Sequence, residues 1–440
     1  MYMKKKNIPV LLQTLFCAFT MVLVLYVSPV FSESRIIPTV SISQEYTDNY
    51  HQTDDSAEDE WITRYEPGIT FEYFEKKGRL DLSYFPSYVD HMDNDEDDTW
   101  EHRLSMDGRY SLSKYTDLTV SEQFARITEI NQRTGTREDH DTNTTFFGID
   151  HRFGRKDSVG ADFTYATDRY ENPNLDEYDR YKPSAYLRYW FNAEYGVDSS
   201  VFYEHTRFDL SGNEEDTWRG DIRIIRMMSR HFQIYVKYAQ SFSEDDTEEH
   251  HVFNPSAGFD WDVSETSTVS MGAGVLFHEY DRQEDSENLF FELDAFKIFE
   301  ISRRATFSIS AASGYEESGD DMASLGFNIY YQTGFNYNYA LTRKAGLDIS
   351  GSYKRDEFEE EQADRTDHIW NLNAGINWNP LRWMELDLSY AYKVFETDEQ
   401  IRDDYEENRV ILSVTLTPYH PVKVSGRETR DLIEGRIFDM

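Results

Sequence analysis

The sequence is poor in cysteine, in basic residues and in apolar runs. Its 440 residues hold one cysteine, 44 basic side chains and 83 acidic ones, for a formal net charge of −39. Mean hydropathy is −0.71. That leaves room for one apolar span at most and excludes a helical membrane protein. The shortage of bases, with a pI near 4.6, argues against nucleic acid as a partner, because phosphates would be repelled. Only 39 % of the chain is apolar, a level common in disordered proteins, yet disordered chains lack aromatics. This one is 15 % aromatic, with 31 Tyr, 29 Phe and 8 Trp. Its length fits two or three soluble domains or one large β-barrel. Aromatic, acidic and cysteine-poor composition suits a barrel with lipid outside and water inside.

Residues 1–32 read as a secretory signal peptide. Lys4, Lys5 and Lys6 form the positive start, an apolar stretch covers residues 8–27, and Pro29 precedes Val30-Phe31-Ser32 at the cleavage site. An uncleaved anchor is the alternative, opposed by Gln13, Thr14 and the proline break. Cys17 follows Thr14-Leu15-Phe16, which is not a lipoprotein context. Cleavage after Ser32 removes the one cysteine, so disulfides, Fe–S clusters and thiol catalysis drop out.

What the chain has in abundance is period. Short polar turns recur at Lys76-Lys77-Gly78, Ser113-Lys114-Tyr115, Gly154-Arg155-Lys156, Ser229-Arg230-His231 and Thr342-Arg343-Lys344, among others, about 40 residues apart. Longer acidic segments fall between them, around residues 54–60, 93–98, 171–179, 244–249, 356–364 and 396–407. Each interval holds a run that alternates with period 2. Leu347, Ile349 and Tyr353 oppose Asp348, Ser350 and Lys354; Met384, Leu386, Leu388, Tyr390 and Tyr392 oppose Glu385, Asp387, Ser389 and Lys393. One run is less clean, since Glu122 falls on the apolar face of its strand. Nine short turns and ten long loops imply about 20 strands, range 16–20.

A propeller would show turn signals every ten residues or so and would bury both strand faces. A soluble sandwich would need a second layer for every strand. A transmembrane antiparallel up-and-down β-barrel needs only one apolar face and leaves no edge. Aromatics near the run ends suit interfacial girdles: Trp61, Tyr84, Tyr88, Trp100, Tyr189, Trp190, Tyr238, Trp378, Trp383 and Tyr419. The expected organisation is a signal peptide over 1–32, the barrel over 33–419 and a periplasmic tail over 420–440.

Certain stretches carry a family resemblance. Glu45-Tyr46-Thr47-Asp48-Asn49-Tyr50, Trp61-Ile62-Thr63, Glu66-Pro67-Gly68-Ile69 and Gly78-Arg79-Leu80-Asp81-Leu82-Ser83-Tyr84 resemble the opening hairpins of bacterial outer-membrane β-barrel porins of the β-barrel porin 2 kind. Trp383, Tyr390, Tyr392 and residues 410–419 resemble their closing hairpin. The resemblance implies an outer-membrane location and a pore-like or export role, some relatives being encoded near exopolysaccharide systems. Many such barrels end on an aromatic residue read by the assembly machinery. Here residues follow Tyr419, so it would act as an internal signal, with Phe438 as a second candidate.

Chemical sites are scarce. There is no H-E-x-x-H motif and no Cys/His cluster. His250-His251 reads as part of a solvated acidic loop. Asp93, Asp95 and Asp97 mimic the start of a calcium loop, but Asp98 replaces its glycine and Leu104 its last ligand. No cofactor is expected; Ca²⁺ or Mg²⁺ held loosely by acidic loops is the alternative to a merely solvated rim. Asp90-His91, Asp139/His140/Asp141, Asp150-His151 and Asp367-His368 are neighbours that chance explains in so acidic a chain, so no enzyme is expected.

The lumen remains. Arg79, Asp81, Asp162, Arg188, Asp198, Arg223, Lys237, Asp348, Lys354, Glu385, Asp387 and Lys393 are predicted to point inward. They either form ladders that select solutes or simply pair across strands. Asp93, Asp95, Asp97, Asp98, Glu357, Glu359, Glu360 and Glu361 are placed in acidic loops at the mouth, where they would concentrate cations. The expected function is passive diffusion of small hydrophilic solutes with cation preference. A conduit for exported polysaccharide, or a structural barrel whose loops bridge lipopolysaccharide through divalent cations, are the alternatives. Expected partners are outer-membrane lipid and lipopolysaccharide, the assembly machinery, and the solute or polysaccharide. Bulky inward Tyr186, Trp190, Phe202 and Tyr235 would decide how far the lumen is occluded.

Overall fold

The computed structural model describes residues 33–54, 57–94, 97–130, 137–245, 249–280, 285–318, 326–359, 365–398, 404–418 and 422–425. The signal-peptide segment, Asp95, Glu360, Glu361, Tyr419 and Phe438 lie outside the described residues.

Twenty long strands follow one another: β1 (Glu33–Thr47), β2 (Glu60–Glu75), β3 (Gly78–His91), β4 (Thr99–Ser113), β5 (Thr116–Ile130), β6 (Arg137–Arg152), β7 (Ser158–Tyr170), β8 (Tyr178–Trp190), β9 (Tyr195–Phe208) and β10 (Glu214–Met227). Then come β11 (Phe232–Asp245), β12 (Glu249–Ser264), β13 (Ser267–Tyr280), β14 (Ser286–Ser302), β15 (Ala305–Ser318), β16 (Gly326–Ala340), β17 (Ala345–Glu359), β18 (Arg365–Leu381), β19 (Met384–Thr397) and β20 (Tyr405–Leu416), with a short β21 (Val422–Ser425). Each pairs antiparallel with the next. β20 pairs back onto β1 from Val40↔Leu416 to Thr47↔Arg409, which closes the barrel. β21 continues that seam beside Ser34, Arg35 and Ile36, so the sheet extends past the boundary expected at residue 419.

Closure gives every long strand a paired neighbour on both sides, and alternation then divides the side chains between two faces. The outward face is apolar: Val40, Ile42, Ile69, Phe147, Phe163, Leu187, Ile222, Ile224, Val236, Ile376, Leu388 and Leu412 are all exposed on it. Aromatic residues border this belt at two levels. Near the short turns stand Phe153, Tyr189, Phe191, Trp261, Phe299, Trp378 and Trp383; toward the long connections stand Tyr65, Trp100, Tyr181, Trp218 and Trp370. Two aromatic rings around an apolar band are what a bilayer demands of a barrel wall.

Trp190 departs from its expected girdle role. It pairs with Gly196 on the inward face, and its indole covers that glycine. Glu122 does sit on the outward face, opposite Met106 and Thr145. It is only 6 % exposed and accepts a 2.6 Å hydrogen bond from the Thr145 hydroxyl, which explains how a carboxylate is tolerated in the belt.

Candidate functional site

The strand registers put all twelve predicted lumen residues on the inward face, opposite the apolar belt. Arg79 pairs with Phe74, and Asp81 with Glu72; Arg188 faces Asp198, which in turn faces Arg223 and then Lys237. Asp162 sits beside Ser184, Asp348 beside Gly375, Lys354 beside Gln332, and Glu385, Asp387 and Lys393 lie on one face of β19.

Their partners differ by sign. The bases are met by acids: Arg79 lies 2.5 Å from Asp81 and 3.7 Å from Glu72. Arg188 lies 3.0 Å from Asp198, Lys237 3.0 Å from Glu292, and Lys354 2.9 Å from Asp356. Arg223 reaches Asp260, which also accepts from Gln233 and Ser270. Several acids, by contrast, are met by neutral groups. Asp162 accepts from Ser184 and Asp348 from Asn377, while Asp387 stands opposite Ser413. The inward face therefore carries an excess of negative charge.

Aromatic rings lie against this wall. Tyr186 lies over Gly160, Tyr235 over Gly258 and Gly272, and Phe85 over Gly68; a Cβ at any of these glycines would overlap the ring. Glycine here provides a bed that lets a large ring lie flat against the sheet. Tyr186 also donates its hydroxyl to Asp150, and Tyr235 donates to the Met271 carbonyl at 3.3 Å. Lys182 sits over the Phe202 ring at 4.2 Å.

Toward the long connections an unbroken row of alternating charge spans the closing seam. Glu66, Arg103, Glu101, Arg64, Glu45, Arg409 and Glu407 follow one another at 3.5, 2.9, 3.7, 3.1, 3.2 and 2.7 Å. A cavity of about 340 Å³ adjoins this row and adds Arg137 and Lys393 to its lining. The signal for the row was the same odd-even alternation in β1, β2 and β4 that exposed the predicted lumen residues.

The first connection folds onto the inner wall. Tyr50 is 1 % exposed, packs with Ile62 and Val89, and lies under the Arg137 guanidinium at 3.9 Å. Its hydroxyl donates to Asp97 at 2.7 Å. Burial holds the phenol above its ordinary pKa; Arg137 opposes this and the Asp97 hydrogen bond adds to it.

Several predicted mouth acids also have structural partners. Asp98 accepts from the His91 backbone at 2.8 Å and the Tyr88 hydroxyl at 3.1 Å. The buried Glu60 accepts from the Trp61, Met92 and Asp93 amides and from Asn94, fixing the turn that carries Asp93. Glu357 and Glu359 belong to β17 rather than to a loop; Glu357 lies on the outward face and pairs with Arg355 at 2.7 Å. The strands here run further than the acidic composition suggested. His250 and His251 likewise open β12, not a loop. Alternation sends them apart, His250 to His278 and His251 to Phe242. It separates Asp90 from His91, Asp150 from His151 and Asp367 from His368 in the same way, so adjacency in sequence builds no dyad. Among the described residues no three His, Cys, Asp or Glu side chains converge as a metal-binding group.

Residues 252–417 match the family model described as "Putative beta-barrel porin 2". Over those residues, which are under half of the chain, it resembles that family, and its fold is a closed antiparallel β-barrel. No curated protein matches it. Solved structures similar to it include the siderophore receptor PirA from Pseudomonas aeruginosa, at 8 % identity over 87 % of this chain and 80 % of that one, with a TM-score of 0.49. OccK2 (OpdF) from the same organism is 9 % identical over 88 % of this chain and 98 % of its own, with a TM-score of 0.44. OpdQ, also from Pseudomonas aeruginosa, is 13 % identical over 88 % and 98 %, with a TM-score of 0.39.

Proposed function

We propose that this barrel is a passive diffusion channel for small hydrophilic solutes and that it prefers cations. The observation that carries the reading is the asymmetry of partners on the inward face. Arg79, Arg188, Arg223, Lys237 and Lys354 are each neutralised by a carboxylate, whereas Asp162, Asp348 and Asp387 face neutral groups. Uncompensated carboxylates between low-dielectric walls raise the local concentration of cations and oppose anions. Twenty strands exceed the 16–18 that already leave an aqueous channel, and the flat-lying inward rings support an open path.

The test is single-channel recording in a planar bilayer under a KCl gradient. Steady steps with a reversal potential on the cation side are expected. Anion preference would overturn the charge argument while leaving the channel. A folded but silent barrel would favour a structural role, with loop carboxylates bridging lipopolysaccharide through divalent cations.

A further inference from the structure

The cavity beside the closing seam lies where one strand leaves its neighbour. β4 and β5 pair only up to His102↔Arg126, whereas β5 and β6 continue to Ile130↔Arg137. Above the His102 rung β5 keeps β6 alone as a partner, and residues 127–130 with Arg137 form one side of the cavity. The inner faces of β1, β2 and β4 form the other, through Glu45, Arg64, Glu101 and Arg103. Its volume of about 340 Å³ is the space of roughly ten waters. Gln52 also lines it, with a φ of 53° in the left-handed region, a strain that gathers at ligand sites.

Two carboxylates on this lining are already shared. Glu45 bridges Arg64 and Arg409, and Glu101 bridges Arg64 and Arg103. Arg137 has no such partner. Among the described residues it forms no ion pair, and its Nε is buried without a hydrogen-bond acceptor. Asp97 and Glu45 act on it from beyond ion-pair distance, while Arg64 repels it. Arg64 commits its two terminal nitrogens to Glu45 and Glu101, and its own Nε is likewise buried without an acceptor. The Tyr50 ring lies 3.9 Å from the Arg137 guanidinium and covers one face of it. Stacking of that kind leaves the N–H donors open, because they lie in the guanidinium plane. Buried donors without acceptors are rare in native proteins. Two of them on neighbouring like charges call for an anion.

We propose that this cavity binds the carboxylate of a small hydrophilic solute at the mouth of the barrel, held by the Arg137 guanidinium with the Arg64 Nε as a further donor. The edge of a planar guanidinium presents two parallel N–H groups, which match the two oxygens of a carboxylate. Arg103, Lys393 and Arg409 on the same lining add to the positive potential. Glu129, also on the lining, has no ion pair among the described residues and disfavours a second negative charge on the ligand. The solute is therefore a monocarboxylate that is neutral elsewhere. Such a site is compatible with a cation-preferring lumen, because the unmatched acids Asp162, Asp348 and Asp387 stand near the short turns, at the opposite end of the strands.

The test measures equilibrium binding to the whole folded barrel in detergent by titration calorimetry, with sodium gluconate as the probe and glucose as its uncharged counterpart. No current is passed, so the result is separate from whether the lumen conducts. Wild type should bind gluconate, more weakly as KCl is raised, and should not bind glucose. Arg137→Gln should weaken gluconate binding about tenfold or more, the scale of lost charge-assisted hydrogen bonds. Arg137→Lys should fall between the two, since it keeps the charge and loses the planar fork. Arg304→Gln, in the turn between β14 and β15, should bind as wild type does. Heat-modifiable gel mobility checks the folding of each variant; should Arg137→Gln not fold, Arg137→Lys decides, and unchanged affinity there counts against the site. Absence of gluconate binding, equal binding by Arg137→Gln, or tighter binding of inorganic phosphate than of gluconate would overturn the proposal.

Discussion

The Tyr50 hydroxyl donates a 2.7 Å hydrogen bond to Asp97, and this ties the connection after β1 to the connection after β3. One such bond contributes about 1 kcal/mol, so Tyr50→Phe should raise the open population of the first connection roughly fivefold. Hydrogen exchange over residues 48–54 would report it. The phenol's pKa is raised by burial. Its contribution is thus present below tyrosine's ordinary range and is lost as pH climbs through the raised value. Wild type should show an alkaline loss of protection that Tyr50→Phe lacks.

Glu45 bridges Arg64 at 3.1 Å and Arg409 at 3.2 Å across the seam between β1 and β20. Glu45→Ala leaves two guanidinium groups without that carboxylate. The expected loss is about 1–3 kcal/mol, the cost of stranding half-buried charged partners. A urea titration of the folded barrel, with Glu45→Gln as the milder comparison, measures it.

Charge selection should respond to the unmatched acids and not to the matched pairs. Replacing Asp162, Asp348 and Asp387 together by Asn should move the KCl reversal potential toward zero. Deleting a pair, Arg188→Gln with Asp198→Asn, should leave it nearly unchanged, because the net charge of the wall is conserved. Equal shifts in both variants would refute the assignment of selectivity to the unmatched groups.

Gly160 supplies the bed for the Tyr186 ring. In Gly160→Ala the new methyl displaces the ring into the lumen, because Tyr186 side-chain atoms are its nearest neighbours. Single-channel conductance should fall while selectivity stays the same. An unchanged conductance would mean that this part of the wall does not limit flow.

Glu122→Leu should stabilise the barrel in lipid. The substitution removes a carboxylate from the lipid-facing wall, where a charge costs about 1–2 kcal/mol, less than for a base. Thr145 then loses its acceptor, which sets an upper limit on the gain. The unfolding midpoint in vesicles, compared with that of Glu122→Gln, separates the two effects.

The architecture was legible because two signals agree. Period-2 alternation assigns faces, and turn spacing assigns strands, so Asp348 and Lys354 could be placed inward from sequence alone. The roles of loop carboxylates were not legible in that way. Whether an acid is solvated or caps a neighbour's amides depends on which hairpins stand side by side, as for Glu60 beside Met92 and Asp93. Composition also misleads at strand ends: Glu357 reads as loop because it is acidic, yet the sheet continues above the membrane, where acids on both faces are tolerated. The early end of the β14–β15 ladder at Leu293↔Ser313 leaves no mark in the sequence pattern.

The seam also orders events in time. β1 is paired on one side by its immediate neighbour β2, but on the other by residues from Arg409 to Leu416 and then by β21. Its second ladder joins residues separated by nearly the whole described chain, the costliest kind of contact to form early. The first strand made is therefore the one that stays open longest, exposing a free edge until the final segment arrives. Anything that shields that edge in the interval determines whether the chain closes on itself or pairs with another copy.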